Sequence, residues 1–352
     1  MTETVAFSKH STNVFFHILT PCNLSCRHCY INPAQHGNVI LPIETITSWL
    51  KVFVNKTNHA NLILLGGEPT LHPQLSEAVK AARRMGYKSI TIDTNGYLFH
   101  DILNKINPHD LDFLSFSLDG ATPQTNDRIR GKGCFERCTE GIEQAVRRGF
   151  HTSLIFTVSR ANIHELHLMP PLLKRLGIER FFIQVIGIRG KSAAPDLGTA
   201  TDGFQTEGLQ VDRDVWLSLI PAVAREAAAL GITVTYPTVF LKNDDRFECA
   251  GLVADNYFIF PNGRVYRCPL CEDYPLHSLE MTDNRLSPTG KINEQDLFSL
   301  TIPEGCVMNK LVQSGNLTYG PDGAPEYQIA CCLLKEEVIP FLNQMYYNIP
   351  II

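Results

Sequence analysis

From Val14 to about Gly187 the chain alternates short β-branched and aromatic runs with amphipathic segments, and this alternation is what most constrains its fold. The spacing predicts strands over VFFHIL (14–19), NLILL (61–65), SITIDT (89–94), DFLSFSL (112–118), TSLIFTV (152–158) and FFIQVI (181–186). Helices are predicted over 43–57, where Ile46, Leu50, Phe53 and Val54 share a face, and over 74–85, 98–106 and 135–148, with another opening near Pro170. Strands alternating with helices argue for an α/β fold with a parallel sheet and helices outside, because parallel neighbours need crossover connections. Periodicity alone leaves the sheet either open or curled into part of a barrel. In both cases the chemistry belongs at the C-terminal ends of the strands, where the loops converge.

A length of 352 residues suits one large domain and a smaller one, since single cores rarely grow beyond about 250 to 300 residues. The expected division is a tail over 1–13, a core domain over 14–210, and a helix plus cysteine-rich region over 211–352. Residues 187–210, GIRGKSAAPDLGTATDGFQTEGLQ, read as a linker into a helix over 212–230, with a kink expected at Pro221. After Phe247 the texture changes to Cys, Pro and Gly, and NYFIF-PNG-RVYRC predicts a hairpin turning at Asn262-Gly263. The 31 Lys and Arg against 36 Asp and Glu include no basic run, so nucleic acid is not an expected partner. The start MTETVAFSKHSTN lacks the pattern of a signal peptide, and no apolar run approaches the roughly 18 residues of a membrane span. The cytoplasm is the expected location, with no membrane partner.

There are 11 cysteines, an odd number that cannot pair fully into disulfides. In a reducing compartment, clustered cysteines more often hold metal. CNLSCRHCY places Cys22, Cys26 and Cys29 on one loop after the first strand. Iron-sulfur cubes normally take four thiolates, so three leave one iron open to a substrate or cofactor. A Cys3His zinc site completed by His28, and a disulfide, are the alternatives these residues allow. The cysteines at 134 and 138, at i and i+4 on a helix with Ile142 and Ala145, read as core. His28 is expected to point outward, and His72 has no evident partner.

The other strand ends carry polar groups. Gly66, Gly67, Glu68 and Pro69 follow the second strand, where glycines permit close backbone approach to a ligand and Glu68 is placed to receive an ammonium group. Thr94, Asn95, Ser117 and Asp119 supply groups suited to ribose hydroxyls or an amino-acid head. Arg128 and Arg130 offer forks for a carboxylate.

Taken together, these residues resemble the radical S-adenosylmethionine superfamily. Its C-x3-C-x2-C loop and following aromatic appear as Cys22, Cys26, Cys29 and Tyr30, and its GGEP as Gly66 to Pro69, over roughly residues 14 to 190. The resemblance implies a partial (βα)6 TIM-like barrel with a site-differentiated 4Fe-4S cluster whose open iron chelates S-adenosylmethionine. One electron, from a donor such as flavodoxin or ferredoxin, then splits the cofactor, and the 5'-deoxyadenosyl radical abstracts hydrogen from a substrate. By position, the resemblance makes Ser117, Asp119 and Arg130 contacts to the methionine carboxylate and ribose, and Gln184 and Ile186 adenine-side contacts.

Cys249, thirteen residues, Gly263, four residues and Cys268 resemble the opening of SPASM and twitch extensions, which carry auxiliary 4Fe-4S clusters. The later four-cysteine run of SPASM is absent. One auxiliary cluster is therefore expected, on Cys249 and Cys268 with two more from Cys271, Cys306, Cys331 and Cys332; zinc or buried thiols are the alternative. The implied activity is oxidation, crosslinking or epimerisation of a peptide, protein or small molecule. Only about thirteen residues precede the first predicted strand, which weighs against a separate leader-peptide module. An electron carrier without radical chemistry is the competing reading, but it has no use for an open iron beside a glycine-rich rim.

Overall fold

The structure, a computed structural model, describes residues 2–5, 11–54, 59–98, 101–193, 209–241 and 245–340. Most of the segment read as a linker therefore lies outside the described residues. Six strands alternate with helices as the sequence predicts: β2 (Thr12–Leu19), β3 (Ala60–Gly66), β4 (Ser89–Thr94), β5 (Phe113–Ser117), β6 (Thr152–Val158) and β7 (Arg180–Val185). Each pairs in parallel with the next, giving the partial TIM-like barrel with helices outside.

Local chemistry explains the outer layer. The helix Leu75–Met85 buries Leu75, Ala78, Val79 and Ala82 on one stripe and ends at Gly86, whose φ of 93° satisfies the left-handed C-cap. Phe16 and Ile18, on the face of β2 that packs against the helices, are fully buried, each contributing about 1.5–3 kcal/mol.

The sheet extends beyond the predicted six strands on both sides. The helix Arg213–Ala229, which runs unbroken through Pro221, feeds β8 (Thr233–Pro237), and β8 pairs in parallel with β7. Next to β8 lies antiparallel β13 (Lys335–Val338), and next to that β1 (Thr2–Val5). The N-terminal stretch expected to be a tail thus supplies a strand, because the C-terminal strand offers it an edge to pair with. On the other side β9 (Asn256–Ile259) pairs in parallel with β2, and β10 (Arg264–Tyr266), β11 (Leu279–Thr282) and β12 (Arg285–Pro288) follow as an antiparallel meander. The β9–β10 hairpin is the predicted one, with Gly263 at φ 87° in its turn. A second apolar cluster of Phe258, Phe260, Tyr266, Leu270, Phe298 and Met308 packs around the C-terminal cysteines. No helix among the described residues is long and apolar enough to cross a membrane.

Candidate cofactor and cluster sites

The loop Cys22–Tyr30 is held from several directions. The Arg27 amide donates to Ile129 O at 3.0 Å, and the Lys191 amide donates to Cys29 O at 2.9 Å. Asn95 Nδ2 donates to Asn23 Oδ1 at 2.9 Å. Tyr30 Oη meets His17 Nε2 at 2.8 Å, and the Arg189 guanidinium lies 4.8 Å over the tyrosine ring. His17 Nδ1 faces Ile259 O at 3.0 Å, so Nδ1 carries the proton and Tyr30 donates to Nε2. Burial pushes the Cys22 thiol up to about 11 and raises Cys26, an effect the nearby Arg130 opposes.

GGEP works differently from the sequence expectation. A Cβ on Gly66 would collide with Leu19 O, and one on Gly67 with the carbonyl oxygens of Thr20 and Pro21. The glycines therefore admit the neighbouring strand end. The Gly67 and Glu68 amides donate to Leu19 O and Pro21 O, both at 3.1 Å. Glu68 is fully buried, and its carboxylate accepts from Thr70 N, Thr70 Oγ1, Thr94 Oγ1 and Asn95 N at 2.6–3.1 Å. Three of these bonds fall on Oε1 and one on Oε2, so Glu68 staples the strand ends while Oε2 keeps an acceptor site, and the residue lines the cavity as the ammonium reading requires. Pro69 opens a short 3-10 turn and is buried outside the cavity lining.

Asp119 also departs from expectation. It is fully buried and does not line the cavity. Its Oδ2 lies 2.6 Å from Arg130 Nε and 3.1 Å from His28 Nε2, while Oδ1 accepts from Thr157 N at 2.8 Å. Desolvation opposes its charge, but Arg130 and then His28 hold the carboxyl well below its ordinary range. His28 thus points inward, contrary to expectation, with its Nε2 held by Asp119. His72 is likewise partnered, its Nε2 2.8 Å from Leu41 O and its Nδ1 accepting from Gln74 N.

Tyr30, Gly66, Gly67, Glu68, Thr94, Asn95, Ser117, Arg130, Gln184 and Ile186 line one cavity of about 370 Å³ with the three loop cysteines. At Ile186 both backbone groups are engaged, the amide with Val158 O and the carbonyl with Gln313 Nε2, leaving only the carbonyl's second lone pair for a ligand. Sequence reasoning missed Asp93, Arg189, Glu272 and Lys335, which line the same cavity. Asp93 was findable, because period-2 alternation in SITIDT sets it on the face opposite Ile90 and Ile92. Arg189, in the glycine-rich stretch, carried no such signal.

A second, small pocket is lined by Cys249, Cys268, Cys306, Cys331 and Cys332 among apolar side chains that include Phe247, Phe298 and Met308. Cys271 does not line it; contact with Cys268 favours its thiolate, but burial and nearby negative charge raise its thiol above the ordinary value. Cys332 lines both this pocket and the large cavity. Cys134 and Cys138 are buried in the core, as expected. All 11 cysteines are free thiols, so no disulfide is present.

The arrangement defines a class: a partial barrel whose strand ends gather a thiol-rich loop around a ligand-sized cavity. Residues 18–169 match the family model of the Radical SAM superfamily. A probable GTP 3',8-cyclase of Saccharolobus islandicus is 32% identical over 163 residues, covering 46% of this chain and 53% of the relative. The Fe-coproporphyrin III synthase of Methanosarcina barkeri is 31% identical over 207 residues, covering 57% and 51%. The chain thus spans about half the length of these curated relatives. Among solved structures, Streptococcus suis SuiB bound to its precursor peptide SuiA aligns with a TM-score of 0.57 at 12% identity, over 87% of this chain and 71% of that one, a likeness of fold.

The family implies a 4Fe-4S cluster and S-adenosylmethionine, and the residues fit them. Asn23 Nδ2 and His28 Nδ1, both on the cysteine loop, are buried without a hydrogen-bond partner, as befits a loop that a bound group completes. Among the described residues no three Cys, His, Asp or Glu side chains converge on one point fit for a single ion. Thiolates on a cube bind different irons and need no common point.

Proposed function

We propose that this protein is a radical S-adenosylmethionine enzyme that takes hydrogen from a substrate held in the barrel lumen. The observation that carries this is the convergence of Cys22, Cys26, Cys29, the GGEP backbone, Ser117, Arg130 and Gln184 on one cavity. When bound, a 4Fe-4S cluster on the three cysteines supplies the electron that splits S-adenosylmethionine into methionine and the hydrogen-abstracting 5'-deoxyadenosyl radical. The chain's own part is positional. Arg130, oriented by Asp119, offers a fixed cation for the cofactor's carboxylate, and the Glu68 staple holds the Thr94–Asn95 strand end against the cysteine loop. The cavity walls enclose the reacting centre and limit access by competing hydrogen donors.

The five-cysteine pocket is read as one auxiliary 4Fe-4S site in a SPASM- or twitch-like region, with Cys249, Cys268, Cys306 and Cys331 as ligands. Electrons come from a flavodoxin- or ferredoxin-type donor. The reaction is oxidation, crosslinking or epimerisation. The relatives' names, a GTP cyclase and a coproporphyrin synthase, favour a small molecule, with a peptide or protein as the other class. The deciding experiment supplies a deuterated lysate fraction to the reduced, reconstituted protein and weighs the 5'-deoxyadenosine formed. Deuterium transfer supports hydrogen abstraction, and absence of any 5'-deoxyadenosine refutes the reading.

A further inference from the structure

The lumen carries two charged side chains that the cofactor site does not use. Asp93 lies on β4 with Thr91, on the face away from buried Ile90 and Ile92. Lys335 opens β13, whose pairing with β8 sets it opposite Pro237, three residues beyond Cys332. Both line the large cavity, beside Phe15, Phe258, Ile155 and Ile183. Each lies within the other's electrostatic reach. Ser115 stands opposite Asp93 in the β4–β5 ladder. The Lys335 ammonium makes no hydrogen bond or ion pair among the described residues.

The other lumen charges are committed. Arg130 is bound to Asp119, Arg189 Nη1 lies 3.0 Å from Glu272 Oε2 and donates to Pro269 O, and Glu68 accepts from Thr70, Thr94 and Asn95. An ammonium withdrawn from bulk water without a partner is costly, and a fold that holds one against a cavity leaves its compensation to whatever enters. The stacked rings of Phe15 on β2 and Phe258 on β9, with centroids 4.5 Å apart, give the cavity an apolar wall.

We propose that Lys335 and Asp93 form a substrate subsite: Lys335 meets an anionic group of the substrate, a carboxylate or a phosphate, and Asp93 accepts from an amine or hydroxyl on the same molecule. The apolar wall contacts the body between them. The inference rests on the radical reading for the substrate's place in the lumen, and deepens it by naming the substrate's chemistry. It also gives the C-terminal region a role in the lumen, since β13 brings the lysine to the sheet.

The test uses the cluster-loaded full chain, carbamylated with cyanate under anaerobic conditions, with modification of Lys335 and of exposed Lys88 read by mass spectrometry. Inorganic phosphate, acetate and glycine are the probes. Saturating anion slows modification of Lys335 about tenfold and leaves Lys88 unchanged. Protection by phosphate and not acetate assigns a phosphoryl substrate, and the converse a carboxylate. Protection by neither, or a Lys335 that does not react in the free protein, overturns the proposal. Glycine, carrying both charges, protects at lower concentration than acetate, and Asp93→Asn removes that advantage; an advantage that survives excludes Asp93 from the subsite. Formation of 5'-deoxyadenosine by the same wild-type preparation is measured separately, so failure of the radical reading is distinguishable from failure of this subsite.

Discussion

Arg130 Nε lies 2.6 Å from Asp119 Oδ2, and this buried pair links the fourth parallel strand's end to the cysteine loop, because the same carboxylate oxygen faces His28 at 3.1 Å. Breaking a buried pair from one side leaves an uncompensated charge, which costs about 3–5 kcal/mol. Asp119→Asn should lower unfolding stability by about that much and reduce 5'-deoxyadenosine formation. Equilibrium denaturation checks the first effect, and unchanged stability rejects the anchoring role.

The same pair sets an acid limit. Asp119's folded pKa is depressed, with Arg130 and His28 holding its carboxylate charged against desolvation. Its contribution is therefore fully present above the unfolded carboxylate value of about 4 and is lost as pH falls below it. Denaturant midpoints measured between neutral pH and about pH 3 should fall less steeply in Asp119→Asn than in the parent.

Cys26→Ala should abolish 5'-deoxyadenosine formation while the second cysteine pocket keeps its iron, since the two groups occupy separate sites. Parallel iron analysis and chromatography of the product check this; continued cleavage at the parent rate rejects the assigned loop.

The C-terminal cysteines separate by position. Cys306→Ser should lose about four irons per chain, one cube, whereas Cys271→Ser, outside the pocket, should keep them. Equal loss in both variants removes the distinction between ligand and bystander.

Gly67→Ala should destabilise the fold by about 2 kcal/mol or more, because its Cβ meets backbone carbonyls of Thr20 and Pro21 that have no rotamer with which to yield. Thermal unfolding of the cluster-free protein isolates this from any loss of cofactor.

Much of the barrel was legible because six strands carry their own β-branched runs and the intervening helices their own stripes. The additional strands β8 and β13 were not read, and the pairing of β1 depends on β13. Short strands such as KEEV at Lys335–Val338 have no hydrophobic alternation; their pairing is decided by an available sheet edge.

At the site, the residue types at Cys22, Cys26, Cys29 and GGEP follow from the sequence alone, because their spacing is local. The roles of Glu68, Asp119 and His28 do not. Each meets partners from other elements, and Asp119 reaches His28, Arg130 and Thr157 across the chain. By itself the sequence determined which thiols share a loop and which runs become strands, through nearest-neighbour geometry. Tertiary structure alone decided which polar groups remain free for a ligand, since a buried carboxylate turns to whatever donors packing brings within hydrogen-bond reach.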